Sequence, residues 1–271
     1  MDNKTSSIQN KSLSIRISSD GLSFCVYSPS ESEPYIFRQV KPRPVVSLAA
    51  NVKEALMSEP LLQEHYQRVN VLVTTRLFTT VPAVEFKRET IRELFNFVFP
   101  GQEQCHVSYN VLRRSGIAII FGLDRNVYKL LLDDFPRARF YASASTLVEF
   151  FSDKSVGMGM KKMYVYLHDK EMTVYCFHEG RLLFVNNYSV NSVNDCQYYI
   201  MNLWSQFGYD QLEDGIEIVA DGEMSQLLSD KIQYFIKNTK LIDRDEDFRQ
   251  TITHGNKIIP YDLQTLLICG F

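Results

Sequence analysis

Five residues are of types that could bind a phosphate group or a magnesium ion. Arg16 lies in an alternating, strand-like run, Asp20 and Asp169 lie in two short hairpin turns, and Asp221 with Gly222 directly follows an apolar strand. A guanidinium binds phosphate oxygens as a planar pair of donors, and carboxylates are ligands for magnesium. These five residues are therefore the candidate cofactor-binding positions.

Three of these candidates also have a structural interpretation, which we favour. Asp suits tight turns because its carboxylate hydrogen-bonds to the nearby backbone, and this accounts for Asp20 and Asp169. Arg16 can instead pair with an acid or lie at the surface of a lobe. On that interpretation, the substitution Arg16→Ala is expected to cost little stability.

Histidines and cysteines indicate neither a metal centre nor a catalytic nucleophile. The five histidines lack the spacing of metal ligands, and no Gly-x-Ser-x-Gly motif is present. The five cysteines are widely spaced and odd in number, which fits neither a disulfide framework nor paired zinc ligands. We therefore expect buried free thiols in a reducing cytoplasm, no metal and no catalytic residue.

Composition and charge describe an ordinary folded chain. It has 271 residues, of which 45% are hydrophobic and 23% charged, and its net charge is -3. A length of this order suits two lobes or one large domain. Because basic and acidic residues are mixed, a nucleic-acid partner is not expected, and no apolar run reaches the roughly 20 residues of a membrane-spanning helix. With no signal or transit peptide recognisable at the N-terminus, the predicted location is the cytoplasm.

The order of predicted elements in the first half is three strands, a helix and a strand. Alternating apolar residues predict the strands, an Asp-Gly pair predicts the first turn, and Ser47 is a predicted helix N-cap. The strands are expected at Leu13–Ser18, Leu22–Tyr27, Tyr35–Val40 and Val69–Thr74, with the helix from Ser47 to about Met57.

The same order of elements returns in the second half, so the halves are interpreted as an internal duplication. A further helix follows the last strand of this second set. The strands are expected at Met163–Leu167, Met172–Phe177, Leu182–Tyr188 and Ile216–Ala220, and the helices at Val193–Phe207 and Ser225–Asn238.

An additional block lies between the copies, at about residues 87–151. Its first helix is expected at Lys87–Phe97, and its strands are expected at Cys105–Leu112, Ile117–Leu123 and Arg139–Ala142. The glycine-containing segment near residue 157 is the predicted boundary, giving lobes at 12–156 and 160–271. It lacks the spacing of a phosphate-binding loop, so it is interpreted as a linker.

Two aromatic clusters and an apolar C-terminal stretch predict contacts with other proteins or within the fold. Aromatic clusters at Phe95, Phe97 and Phe99 and at Tyr198 and Tyr199 cannot all face inward from one helix, which indicates a protein-binding surface. The apolar stretch Leu266–Phe271 is expected to dock as a strand or against another subunit.

This duplicated unit resembles the half-molecule of the ribonuclease H-like fold, and two halves around a cleft resemble the actin-like ATPase superfamily. The resemblance covers nearly the whole chain. The block at 87–151 looks like the extra segment of the actin-like pilus-assembly protein and of the bacterial cell-division actin homologue. The chain also resembles an uncharacterised bacterial family with this fold. The resemblance implies an α/β fold with two mixed-sheet lobes.

The nucleotide motifs of that superfamily are altered in this chain. Active members carry Asp and then Gly at the end of the first strand of each half, and the matching positions are Arg16 and Ser18, and Tyr166 and His168. The adenine-side run of glycines is replaced by Ala220-Asp221-Gly222-Glu223. The resemblance therefore implies a degenerate member that needs no cofactor.

The leading functional hypothesis is a non-enzymatic actin-like scaffold that binds another protein through the cleft or the 87–151 block. The alternative is a nucleotide-binding switch or ATPase that uses ATP with magnesium through Asp20, Asp169 and Asp221. A nuclease built on the ribonuclease H-like half ranks last, because it needs several carboxylates around two metal ions and Arg16 stands where the first is expected.

Overall fold

The computed structural model describes residues 11–19, 21–29, 34–168, 170–219, 223–249, 251, 253, 255 and 258–268. Its contacts divide the chain into a first unit, Met1–Thr146 with Gln250–Phe271, and a second unit, Leu147–Arg249. The C-terminal residues thus group with the first unit, whereas the sequence assigned them to the second lobe. The lobe limits 12–156 and 160–271 stay a prediction.

Strands and helices occur close to their expected places, and several have the predicted bounds. The described strands are β1 Ser12–Ser18, β2 Gly21–Tyr27, β3 Tyr35–Val40, β4 Arg68–Val73, β5 Phe78–Pro82, β6 Cys105–Leu112, β7 Ile117–Asp124, β8 Arg139–Ala142, β9 Lys161–His168, β10 Glu171–His178, β11 Arg181–Ser189, β12 Gly215–Val219 and β13 Asn238–Leu241. The helices are α1 Leu48–Ser58, α2 Ile91–Val98, α3 Arg125–Asp134, α4 Ser143–Ser155, α5 Val193–Gln206, α6 Glu223–Ile232, α7 Arg244–Asp247 and α8 Tyr261–Ile268, with short 3-10 helices at Pro60–Gln63 and Arg88–Thr90.

Each unit contains a five-stranded sheet with the same topology. The order in the first unit is β3-β2-β1-β4-β8, and in the second it is β11-β10-β9-β12-β13. In both, the three leading strands are antiparallel and the last two run parallel to the first of the set. This is the arrangement expected of the ribonuclease H-like half, and the mixed α/β class is confirmed.

Both faces of the central strands of the first sheet are buried. Strand β4 is accordingly mostly apolar, whereas β1 alternates apolar residues with polar ones that are also buried, among them Ser14 and Arg16. Helix α1 begins at the predicted N-cap, where the Ser47 hydroxyl accepts a hydrogen bond from the Ala50 amide at 3.3 Å. Helix α8, in the C-terminal segment, also packs on this sheet: its Leu263 and Leu266 form a cluster with Cys25 and Leu72.

The C-terminal stretch differs from its expected form. Residues Tyr261–Ile268 form a helix within the first unit, whereas the sequence suggested a strand or a subunit contact for Leu266–Phe271. Apolarity alone cannot distinguish a buried helix from a buried strand in so short a run. Residues 269–271 lie outside the described part of the chain.

The middle block forms a small sheet of its own, in the order β5-β7-β6. Strand β5 had not been predicted. Helix α2 packs on this sheet so closely that a Cβ atom at Gly122 would lie 2.4 Å from Phe95 Cζ, so glycine is required there. The expected helix at 87–97 begins at Ile91, after the 3-10 turn Arg88–Thr90.

The second unit buries its core between the sheet and helices α5 and α6. Helix α5 begins with a reciprocal capping box in which Ser192 and Asp195 each bind the other's backbone amide. Such a cap satisfies amides at a helix N-terminus that have no partner within the helix. Strand β11 forms the outer edge of this sheet.

Candidate functional site

The parallel strands of the first unit bring three hydrogen-bond donors to one place. Arg16 lies near the end of β1, Thr74 directly follows β4, and Ser143 directly follows β8. Because these strands are parallel neighbours, their carboxyl ends meet at the same edge of the sheet, which is where open α/β sheets bind ligands.

These three donors all bind one carboxylate of the same chain, that of Asp262. Arg16 Nε donates to both oxygens of Asp262, at 2.8 and 3.0 Å. The hydroxyls of Thr74 and Ser143 donate to Asp262 Oδ2 at 3.1 and 2.9 Å, and the Leu263 amide donates to Oδ1 at 2.9 Å. We call Arg16, Thr74, Ser143 and Asp262 the Asp262 site.

This site is removed from water. Arg16 is 7% exposed and Asp262 is 0% exposed. An ionised carboxylate at such a position needs paired charge and full hydrogen bonding to be tolerated, and the site provides both. Removal of Arg16 would leave the buried carboxylate without its charged partner. We therefore expect Arg16→Ala to lower the free energy of unfolding by about 3 to 5 kcal/mol, whereas the sequence predicted only a small loss.

A guanidinium with two hydroxyls is also the kind of donor set that binds an oxyanion. In this structure the Asp262 carboxylate accepts the hydrogen bonds of those donors. A second anion placed against them would stand beside a buried negative charge, which is unfavourable in a medium of low dielectric constant. The arrangement therefore ties α8 to the sheet, with the three donors bound to a carboxylate of the same chain.

Of the five candidate residues, Arg16 is the one that the structure describes. The other four, Asp20, Asp169, Asp221 and Gly222, lie outside the described residues. Arg16 pairs with an acid, as the favoured interpretation predicted.

Sequence reasoning missed three residues of the site. Thr74 and Ser143 carried a usable signal, because each directly follows a strand that is parallel to β1. Asp262 carried none, since it is 246 positions from Arg16 and only the tertiary fold joins them.

In the second unit, the positions that match Arg16 and Ser18 carry aromatic rings. Tyr166 is 4% exposed, and its ring lies 4.7 Å from that of His168. A neighbouring strand residue, Tyr164, stacks on Phe151 at 4.2 Å with an interplanar angle of 2°. Aromatic rings thus occupy this region of the second sheet.

An ion-pair cluster lies next to these rings. Lys154 Nζ lies 2.9 Å from Glu217 Oε2 and 2.7 Å from Asp247 Oδ1, and Lys162 Nζ lies 3.2 Å from Glu217 Oε1. Burial alone would raise the pKa of the Glu217 carboxyl, but Lys154 and Lys162 outweigh it and lower that pKa. Burial would likewise lower the pKa of Lys154, and the nearby carboxylates raise it.

The glycine-containing segment near residue 157 also binds a carboxylate of its own unit. The amides of Gly157 and Gly159 donate to the two oxygens of Glu179 at 3.2 and 2.5 Å. Both glycines have positive φ, at 71° and 66°, which directs their amides into this turn. The segment is therefore held by Glu179.

The described residues offer neither a metal-binding cluster nor a membrane-spanning helix. They contain no group of three or more His, Cys, Asp or Glu side chains placed to hold a metal ion. None of the helices found there combines the length and apolarity needed to cross a bilayer.

The two five-stranded sheets with their shared topology define an actin-like ATPase fold. The chain belongs to the family DUF3822, described as a protein of unknown function, whose model matches residues 1–239. No curated protein matches the chain.

Solved structures that are similar to this chain include two that match it over most of its length. One is a protein from Bacteroides thetaiotaomicron with an actin-like ATPase fold and unknown function, at 31% identity over 99% of both chains and a TM-score of 0.85. The other is the PilM-PilN type IV pilus biogenesis complex, at 9% identity over 89% of this chain and 90% of that chain, with a TM-score of 0.54. At that identity, the second similarity concerns the fold alone.

Proposed function

We propose that this protein is a degenerate actin-like scaffold that binds another protein and does not hydrolyse ATP. The observation that carries the proposal is the Asp262 site. The donors at the ends of the parallel strands are engaged by a carboxylate of the chain itself, and Arg16 replaces the acid that an active member would use. No catalytic residue, cofactor or nucleic-acid partner is proposed.

Exposed aromatic side chains support the protein-binding part of the proposal. Phe97 on α2 is 87% exposed and Tyr198 on α5 is 68% exposed, while Phe95 is buried. Large aromatic residues are enriched where proteins bind one another. The fold is also that of PilM in the PilM-PilN complex, so an actin-like protein can have a protein partner. The 87–151 block, which carries Phe97, is the proposed binding region.

The proposed location is the cytoplasm of a bacterium. Cys25, Cys105, Cys176 and Cys196 are free and buried, which suits a reducing compartment. The similar protein of known structure comes from a bacterium. Descent of the two halves from one duplicated unit is likewise proposed, on the basis of their common strand order.

Thermal melting with and without magnesium ATP tests this proposal. A ligand at 100 times its dissociation constant stabilises a protein by about 2.7 kcal/mol, which raises Tm by a few degrees in a chain of this size. We expect no shift, with magnesium alone and ADP as controls. A reproducible shift, or nucleotide found in the purified protein, would instead favour the switch that uses Asp20, Asp169 and Asp221.

A further inference from the structure

Strand β11 has an outer edge that no described strand pairs with. The strand is nine residues long and contains neither proline nor lysine. Its counterpart in the first unit, β3, has six residues and lies between Pro34 and Pro42. Proline and short length are devices by which proteins prevent edge strands from pairing with another chain. The first unit has both devices at this position, and β11 has neither.

The backbone of β11 also presents hydrogen-bonding groups outward. The Val190 amide donates to the Lys170 carbonyl at 3.0 Å, which fixes the phase of the antiparallel ladder with β10. Hydrogen-bonded and non-bonded pairs alternate along such a ladder. The even-numbered residues from 184 to 188 therefore bond to β10, whereas Val185 and Asn187 direct their amides and carbonyls to the open edge.

Aromatic rings line one face of this edge. Phe184 of β11 lies 5.1 Å from Phe207, and Tyr188 of β11 stacks on Tyr199 of α5 at 4.4 Å. Tyr199 in turn contacts Tyr198, which is largely exposed. A strand added beside β11 would cover these rings, so the edge offers apolar contact as well as backbone hydrogen bonds.

We propose that β11 is a self-association edge, at which two copies of this chain pair their β11 strands antiparallel about a two-fold axis at Asn186. This register places the outward-facing Val185 of one copy opposite Asn187 of the other, so their backbones can bond. It also places Phe184 opposite Tyr188, and aromatic cross-strand pairs stabilise sheets.

A second copy fits this edge because an antiparallel strand can be its own complement, as a two-fold interface requires. Arg181 is the one charged residue of β11. In this register it lies five residues from the two-fold axis, so the Arg181 residues of the two copies are far apart. Asn186, which meets its own copy there, is exposed and uncharged. The pairing therefore brings no like charges together.

Charge substitutions at the axis test both the contact and its register. Sedimentation velocity over roughly 1 to 100 µM measures the dimer, a range that brackets micromolar dissociation constants. Asn186→Asp and Asn186→Lys each place like charges opposite one another, so each variant alone should dimerise roughly two- to fivefold more weakly. An equal mixture of the two should restore the dimer, because opposite charges then meet.

Two further variants complete the test. Asn202→Asp, a similar change at an exposed position of α5, should leave the dimer unchanged. Val185→Pro removes an outward-facing amide without removing a bond to β10, and should give a folded monomer by circular dichroism. The proposal is overturned if the wild-type protein is monomeric at the highest concentration, which would leave the edge to a strand of another protein. It is also overturned if the wild type dimerises and the Asn186 variants dimerise equally well.

Discussion

At the residue scale, the Arg16–Asp262 ion pair is the feature with the largest consequence. Both side chains are buried, and the sequence places them at opposite ends of the chain. Arginine at this position changes the charge that an active actin-like protein would present there. Its neutralisation by Asp262 turns a potential ligand-binding place into a contact within the first unit.

Loss of either partner should therefore destabilise the protein. We expect Arg16→Met to lower the free energy of unfolding by about 3 to 5 kcal/mol, because Asp262 would remain buried without its charged partner. Urea unfolding measures the change. The double variant Arg16→Met with Asp262→Leu should recover part of this loss, since replacing a buried pair by apolar residues removes its desolvation cost. A single variant as stable as the wild type would contradict the described pairing.

The Glu217 cluster should make stability depend on pH in acid. The pKa of Glu217 lies below its ordinary value of 4.5, so the folded protein binds this proton more weakly than the unfolded chain does. Its contribution is present above that ordinary value and is lost as the pH falls through the lower, folded pKa. Urea unfolding between about pH 3 and 7 should therefore show a shallower acid decline for Glu217→Gln than for the wild type.

At the element scale, the central parallel strands hold each sheet together. Val71 of β4 and Ile218 of β12 are fully buried and occupy corresponding places in the two sheets. We expect Val71→Ala or Ile218→Ala to cost roughly 2 to 5 kcal/mol. Calorimetry of each variant measures the loss, and an unchanged Tm would mean that the strand is not central.

The strands show which parts of the fold can be predicted from the sequence. Strands such as β3, β6 and β8 have their predicted bounds, because turn residues and alternating apolar residues mark them locally. Strands β5 and β13 were missed. Both are short, with five and four residues, and most of their residues are partly or fully exposed, so their apolar pattern is weak. Backbone pairing with a neighbouring strand stabilises each of them: β5 pairs with β7, and β13 pairs with β12.

At the scale of the whole molecule, the C-terminal helix is an integral part of the first unit. The buried Leu263 of α8 packs with Cys25 and Leu72 of the first sheet. We expect Leu263→Ala to cost about 2 to 5 kcal/mol and to act first on that unit. Hydrogen exchange should then rise in β1 and β2 at lower denaturant than in β9 and β10. Equal changes in both units would show instead that they unfold together.

The sequence by itself determined the α/β class and the repeated order of elements, because strands, turns and helix caps are local patterns. Only the tertiary structure decided what Arg16 does. Its partners, Thr74, Ser143 and Asp262, come from the ends of two other strands and from a C-terminal helix. A contact between residues 246 positions apart leaves no periodic trace, since it depends on how distant segments pack once the sheet has formed.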